Sequence, residues 1–432
     1  MTRFGILCPA AIGHLNPMCA LGRELQRHGH TVVMLGLLDI QDKIKSTGIE
    51  FHPIGHSAFP HGSLETIHQQ LGQLTGLAGF NFTVKWILQE LQMLFTEGIE
   101  AIREEKIDVL IVDQTTLGGS TVADYLSLPF VTVSNALLIN REPGIPPFFT
   151  SWDYNTSPWA HLRNQLGNGF LYAITHAVRA QVSRQRRLWK LSPYNNDEDF
   201  FSPLLQICQL NAGFDFPRRN LVPWFHYTGP LQDPSGIEPI SFPALPFPFD
   251  TLTGQPLIYA SLGTLQNRKP EIFRMIAQAC QGLDAQLVIS LGNPNAAVEA
   301  FEILGSHIVV PYAPHQQLIQ RSRMVITHAG MNTTLGALSN GVPILSLPIT
   351  NEQPAIAARL VRTGAGEMLR LSDLSIEKLH ATVHKVLTQD SYRLKAIQMQ
   401  TEIKQSGGVR RAVTLIEQML KTGSPVCDPK RA

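Results

Sequence analysis

The sequence predicts an α/β chain of two parallel-sheet domains that face each other across a cleft, and three observations predict it. Short apolar runs alternate with longer stretches of helical spacing, the mark of parallel strands covered on both faces by crossover helices. That alternation occurs once in each half of the chain. Between the halves, residues 230–249 carry six prolines, which prevent regular pairing and stiffen the segment as a linker. The length agrees, because 432 residues exceed what one core ordinarily holds.

In the first half the strands are expected at Arg3 to Cys8, Thr31 to Gly36, Phe51 to Ile54, Ile107 to Asp113 and Pro129 to Ser134. In the second they are expected at Pro256 to Ser261, Ala285 to Ser290, His307 to Val310, Arg323 to Thr327 and Pro343 to Leu347, which makes five per half. After Gly407-Gly408, the residues Val409, Ala412, Val413, Ile416, Met419 and Leu420 recur at helical spacing and predict a helix with one face to bury. The polar tail from Thr422 to Ala432 is expected to fray.

Composition excludes several functions. Charged residues make up 16% and hydrophobic ones 44%, so disorder through excess charge is ruled out. The 35 Lys and Arg nearly balance the 34 Asp and Glu, and a net charge of +1 offers no field for nucleic acid. The five cysteines are scattered without a Cys-x-x-Cys pair, which disfavours a disulfide framework and a zinc site and fits a reducing compartment. Nothing approaches the ~20 uninterrupted apolar residues of a membrane span. The first apolar run reads as a buried strand and not a leader. A soluble cytoplasmic protein, at most peripheral to a membrane, is expected.

Chemistry in an open parallel sheet sits beyond the carboxyl ends of the strands, where strand order reverses. With the Rossmann-like order 3-2-1-4-5, that point lies between the first and fourth strands. In the first half the loop Pro9-Ala-Ala-Ile-Gly-His14 and the strand end Asp113 converge there. Read separately, His14 caps the following helix and Asp113 receives backbone donors. Read together, the carboxylate fixes the imidazole tautomer and the pair can take a proton from a hydroxyl.

In the second half, Ser261-Leu-Gly263-Thr264 and Thr327-His328-Ala-Gly330-Met-Asn332-Thr333 occupy the equivalent strand ends, and the latter enters a helix. A helix N-terminus has unpaired N–H groups and about half a positive charge, so it favours a phosphate; His328, Asn332 and Thr333 add side-chain donors. The competing reading is an ordinary helix start capped by Asn332 or Thr333. No Gly-x-Gly-x-x-Gly, P-loop, His-Glu-x-x-His or acidic cluster is present, so a metal-independent site without dinucleotide is expected.

The segment from Tyr312-Ala-Pro-His-Gln through Thr327-His-Ala-Gly-Met-Asn-Thr-Thr to Gly341-Val-Pro-Ile-Leu-Ser-Leu-Pro348 and Asn351-Glu-Gln353 resembles the donor-binding signature of family 1 glycosyltransferases of the UDP-glycosyltransferase type. The resemblance extends from Met1 to about Lys421. It implies the two-domain GT-B fold, with an acceptor domain at 1–231, a linker at 232–250, a nucleotide-sugar domain at 251–406 and a helix at 407–421 crossing back to the first domain. It implies that Tyr312 stacks on the nucleotide base and that His328, Asn332 and Thr333 hold the diphosphate beside Gly330. Ser261, Gly263 and Thr264 line the same pocket, with Ala313 and His315 in the signature, while Glu352 and Gln353 bind the donor sugar. His14 matches the family's catalytic base and Asp113 its partner.

Two departures stand out. Gly336 replaces a Glu that in plant members grips the ribose, and Met331 replaces a Trp. Ribose contacts must then come from elsewhere or be fewer. The implied reaction is inverting transfer of a hexose, glucose foremost, from a UDP-sugar that serves as co-substrate, with no cofactor. Phe59, Phe80, Phe82, Trp86, Phe148, Phe149, Trp152 and Tyr154, in segments around 57–86 and 140–158, read as an apolar pocket for a lipophilic or aromatic alcohol such as a hydroxylated carotenoid. They read equally as core or lid packing. A dTDP-sugar donor, a sugar-nucleotide epimerase and a silent nucleotide-sugar-binding partner protein are the alternatives.

Overall fold

Strand burial organises the chain. β1 (Arg3–Leu7), β2 (Thr31–Gly36), β3 (Glu50–Pro53), β4 (Val109–Asp113), β5 (Phe130–Ser134), β6 (Gln206–Cys208) and β7 (Phe225–Tyr227) form one sheet in the order β3-β2-β1-β4-β5-β6-β7. All of its pairs are parallel. Every residue of β4 and β5 is buried, as expected of strands covered on both faces. A second all-parallel sheet, in the order β10-β9-β8-β11-β12-β13, is built from β8 (Leu257–Ser261), β9 (Gln286–Ser290), β10 (Ile308–Val310), β11 (Ser322–Thr327), β12 (Ile344–Ser346) and β13 (Gly366–Met368). This computed structural model describes every residue except 75, 236–239, 241–246, 265–268, 297, 299–306, 430 and 432, and the side chains of 72, 73, 76 and 77 also fall outside the description. Most of the proline-rich linker therefore lies outside the described residues.

Each sheet keeps the expected order of its first five strands, so each has its switch point between its first and fourth strand. The count of five per half is corrected to seven and six strands among the described residues. The additional strands β6, β7 and β13 have three residues each, with polar or small residues among them, and are defined by the neighbour they pair with and not by an apolar run.

The helix Gly408–Thr422 buries Val409, Ala412, Val413, Ile416 and Met419 in the same core as Leu15, Met18, Leu21 and Leu25 of the helix Ile12–Arg27. Gly407 (φ +88°) makes the sharp entry, and a Cβ there would come within 2.8 Å of Arg411. The expected fraying of the tail is corrected. Val426 is buried, its N–H donates to the Leu204 carbonyl, and the Asp428 N–H donates to the Pro223 carbonyl. These bonds lash the tail to the segments that enter β6 and β7.

A buried ion cluster joins the two sheets' surroundings. Asp215, after β6, accepts from Arg218 Nε and from Arg359 Nε, both at 2.7 Å, and from the Tyr227 hydroxyl at 2.9 Å. Arg359 belongs to the helix Gln353–Thr363 that follows β12, and its guanidinium stacks 4.1 Å above the Phe216 ring. Burial disfavours the Asp215 charge, but the two guanidiniums outweigh it and hold the carboxyl far below its usual range.

Candidate active site

The first wall of the cleft is built at the end of β4. Asp113 is fully buried and collects four donors. His14 Nδ1 and Asn135 Nδ2 reach its Oδ2, each at 2.8 Å, while the Thr115 N–H at 2.8 Å and hydroxyl at 2.6 Å reach Oδ1. His14 lies in the first turn of the helix Ile12–Arg27, which has no side-chain cap, so it does not serve as one. With Nδ1–H donated to the carboxylate, Nε2 is left as the ring's proton acceptor. Burial works against the imidazolium, yet the charge and hydrogen bond of Asp113 prevail and raise His14 above the ordinary histidine value. The same balance lowers Asp113: its burial penalty is overcome by His14 and the Thr115 donors.

The second wall is built at the ends of β8 and β11, where Thr327 aligns with Ser261. Among the described residues no carboxylate acts on His328, and burial together with the neighbouring His315 pushes its pKa down to about 4. His328 is therefore neutral near pH 7. Its ring occupies room that two glycines leave open: a Cβ on Gly263 would come within 2.6 Å of it and one on Gly330 within 2.7 Å. Ala329, between His328 and Gly330, is fully buried with φ +66°, a left-handed conformation costly for alanine, and it turns the chain from β11 into the helix Met331–Ser339. Gly330 caps that helix without a side-chain bond, so Asn332 and Thr333 are not its caps. Asn332 instead spans the cleft, where its Nδ2 donates to the Gly13 carbonyl at 3.0 Å and its Oδ1 accepts from Gln209 Nε2 at 3.3 Å.

A cavity of about 1120 Å³ separates the walls. His14 lines it from one side, and Ser261, Gly263, Thr264, Tyr312, Ala313, His315, His328, Gly330, Asn332, Thr333, Glu352 and Gln353 line it from the other. Asp113 stands behind His14. The Gln353 side-chain Oε1 accepts from the N–H groups of Ile349 and Thr350 at 2.8 and 2.9 Å, which shapes the loop before its helix. His315 Nδ1 lies 3.0 Å from the Tyr259 hydroxyl. Among the aromatic candidates, Phe80, Trp86, Phe148 and Phe149 line the cavity. Phe59 is instead part of the first core, Trp152 lies under Arg163, and Tyr154 packs on Phe216.

Four residues went unnoticed in the sequence. Asn135 and Thr115 follow the ends of β5 and β4, where the strand-end rule that found Asp113 also points. Glu90 lines the cavity from the helix Gly76–Met93, and burial lifts its carboxyl to about 8. Its only signal was a lone acid among apolar neighbours. Gln316 lines the cavity with its amide 3.5 Å from where a Cβ on Gly336 would stand. Among the described residues no group of three or more His, Cys, Asp or Glu is placed to hold a metal, and no helix is long and apolar enough to cross a membrane.

Known proteins resemble this chain in sequence and in fold. The family model for UDP-glucoronosyl and UDP-glucosyl transferases matches residues 195–421. The chain is 31% identical over 428 residues to a zeaxanthin glucosyltransferase of Pantoea ananas, covering 99% of this chain and 98% of that protein. It is 30% identical to the zeaxanthin glucosyltransferase of Pseudescherichia vulneris, covering 97% and 98%. Among solved structures, the glycotransferase of kitacinnamycin superposes with a TM-score of 0.76 at 18% identity, covering 96% of this chain and 98% of that one. The calicheamicin glycosyltransferase does so with 0.74 at 20% identity, covering 98% and 100%. These last two establish the two-domain GT-B fold. With the family model spanning more than half the chain and a relative matched nearly end to end, the chain belongs to the UDP-glucoronosyl and UDP-glucosyl transferase family and is a glycosyltransferase.

Proposed function

We propose that this glycosyltransferase moves a hexose, glucose foremost, from a UDP-sugar to a hydroxyl of a lipophilic or aromatic small molecule, with inversion at the anomeric carbon. The observation that carries this reading is the 2.8 Å His14–Asp113 pair opening on the same cavity as the helix start at Gly330. His14 Nε2 takes the acceptor proton and Asp113 stabilises the imidazolium. The acceptor oxygen forms its bond to the anomeric carbon as the bond to the diphosphate oxygen breaks on the opposite face. The departing diphosphate is met by the open N–H groups of the helix Met331–Ser339, by Thr333 and by neutral His328 as a donor. This is a single displacement with no covalent enzyme intermediate.

Tyr312 is assigned to the base, Ser261, Gly263, Thr264, Ala313 and His315 to the floor of the donor pocket, and Glu352 with the Gln353 amide to the sugar hydroxyls. Gln316, beside Gly336, takes over the ribose contact that the glycine cannot make. The cavity's size and its Phe80, Trp86, Phe148 and Phe149 walls suit a large apolar acceptor, and two relatives are named for glucosylating zeaxanthin. Such an acceptor brings the enzyme to a membrane as a peripheral protein. A thymidine diphosphate sugar is the second donor reading, since two structures of the same fold hold thymidine diphosphate.

Mass spectrometry of products from UDP- and dTDP-sugars crossed with carotenoid, flavonoid and macrolide alcohols tests the proposal. A hexosyl adduct on a carotenoid or phenolic hydroxyl from UDP-glucose is expected. Transfer only from dTDP-sugars would replace the donor assignment, and donor binding without any adduct would defeat the acceptor assignment.

A further inference from the structure

The helix Pro158–Ile174 has an outer face left open by the described residues. Of the twelve exposed large hydrophobic residues among those described, five lie on this one helix: Trp159 (71% exposed), Leu162 (46%), Leu166 (66%), Phe170 (48%) and Tyr172 (48%). Single exposed apolar side chains are ordinary, but a contiguous set on one element is not. Trp159, Leu162, Leu166 and Phe170 recur at spacings of three and four residues and share one face, while Ala160, Asn164 and Leu171 are buried on another.

Charge singles out the same region. From 158 to 196 the sequence has six Lys and Arg and no Asp or Glu, in a chain whose net charge is only +1. Arg179 and Arg186 are neutralised by Asp197 and Asp124. Arg184, Arg187 and Lys190, on and just after the helix His176–Leu188, are exposed, and none joins an ion pair among the described residues. An apolar stripe followed by uncompensated cations is the pattern of an interfacial helix on an anionic bilayer. A protein partner of mixed charge would leave the missing acids unexplained. The stripe also leads inward, since Phe170 lines the cavity together with Leu171 and Ile174 of the same helix.

We infer that the outer face of Pro158–Ile174, assisted by Arg184, Arg187 and Lys190, docks on an anionic lipid surface, so that an apolar acceptor passes from the bilayer along Phe170 into the cavity. The docking surface rests on exposure and charge alone; the acceptor route rests on the lipophilic-acceptor reading above.

Co-sedimentation of the full chain with phosphatidylcholine vesicles, with and without phosphatidylglycerol, tests the docking without any turnover. Binding to the anionic vesicles at low salt is expected, weakening several-fold as screening shortens the Debye length from ~10 Å at 0.1 M towards ~3 Å at 1 M. Trp159→Ser/Leu162→Gln/Leu166→Gln should reduce bound protein by about tenfold or more. Because these side chains are exposed, the variant should keep its Tm and its turnover on a water-soluble phenol. Arg184→Gln/Arg187→Gln/Lys190→Gln should erase the preference for anionic vesicles. Wild-type protein left in the supernatant, or equal binding by the triple apolar variant, would overturn the inference. A concentration-dependent dimer that the apolar variant abolishes and vesicles do not compete with would reassign the stripe to a second copy. Vesicle binding without glucosylation of any lipophile would leave the surface standing and refute only the acceptor reading.

Discussion

His14 and His328 stand at the switch points of the two sheets, on opposite walls of one cavity, and their environments push them in opposite directions. His14 meets the buried carboxylate of Asp113 at 2.8 Å and is raised despite its burial. His328 packs where Gly263 and Gly330 lack a Cβ, has the Thr327 hydroxyl 3.3 Å from its Nδ1 and His315 as a neighbour, and falls to about 4. On the mechanism proposed above, one residue type would supply a base on the acceptor side and a donor that is neutral near pH 7 on the diphosphate side. The difference lies chiefly in the Asp113 carboxylate, with Glu352 and Glu90 adding to it, and pairs of groups driven apart in this way point to the roles in a site.

If that division is correct, the two histidines respond differently to removal. His14→Ala should lower turnover on a hydroxyl acceptor by about 10²–10⁴-fold with UDP binding intact, read by steady-state kinetics beside calorimetry. Asp113→Asn should cost about 10²-fold, because an amide cannot accept from all four donors that converge there and no longer stabilises the imidazolium. His328→Gln should weaken UDP binding by about tenfold without moving the pH profile, since a neutral hydrogen bond is lost and no titrating group. Gly330→Ala should raise the donor KM several-fold by displacing the His328 ring, with little change in Tm, as φ −63° at this position suits alanine. Equal effects of His14 and His328 variants on UDP affinity would collapse the comparison.

Much of this was legible in the sequence because parallel strands and their switch points follow from periodicity. The runs at Ile107 to Asp113 and Arg323 to Thr327 announce the strands observed at Val109–Asp113 and Ser322–Thr327, whose ends carry Asp113 and His328. What escaped was set by pairing and by distant neighbours. β6, β7 and β13 have no apolar run to announce them. The docking of Val426 depends on the Leu204 carbonyl, more than 200 residues away in the chain. The cross-cleft bond from Asn332 to Gly13 joins residues 319 apart, a contact no local pattern encodes. The room for the His328 ring is likewise a property of two glycines from different strand ends, Gly263 and Gly330, and becomes visible only when β8 and β11 lie side by side.

The pH dependence of kcat/KM for the acceptor, measured on the wild type and on Asp113→Asn, reads the His14–Asp113 coupling directly. An imidazolium cannot accept a proton, so activity is lost as pH falls through the His14 pKa. In the wild type that acid limb should lie above the ordinary histidine value of about 6.5. Without the Asp113 charge the imidazolium is less stable, so the limb should move to lower pH while the plateau falls. An acid limb that stays in place in Asp113→Asn would contradict the account, because the base would then be some group other than the histidine that Asp113 holds.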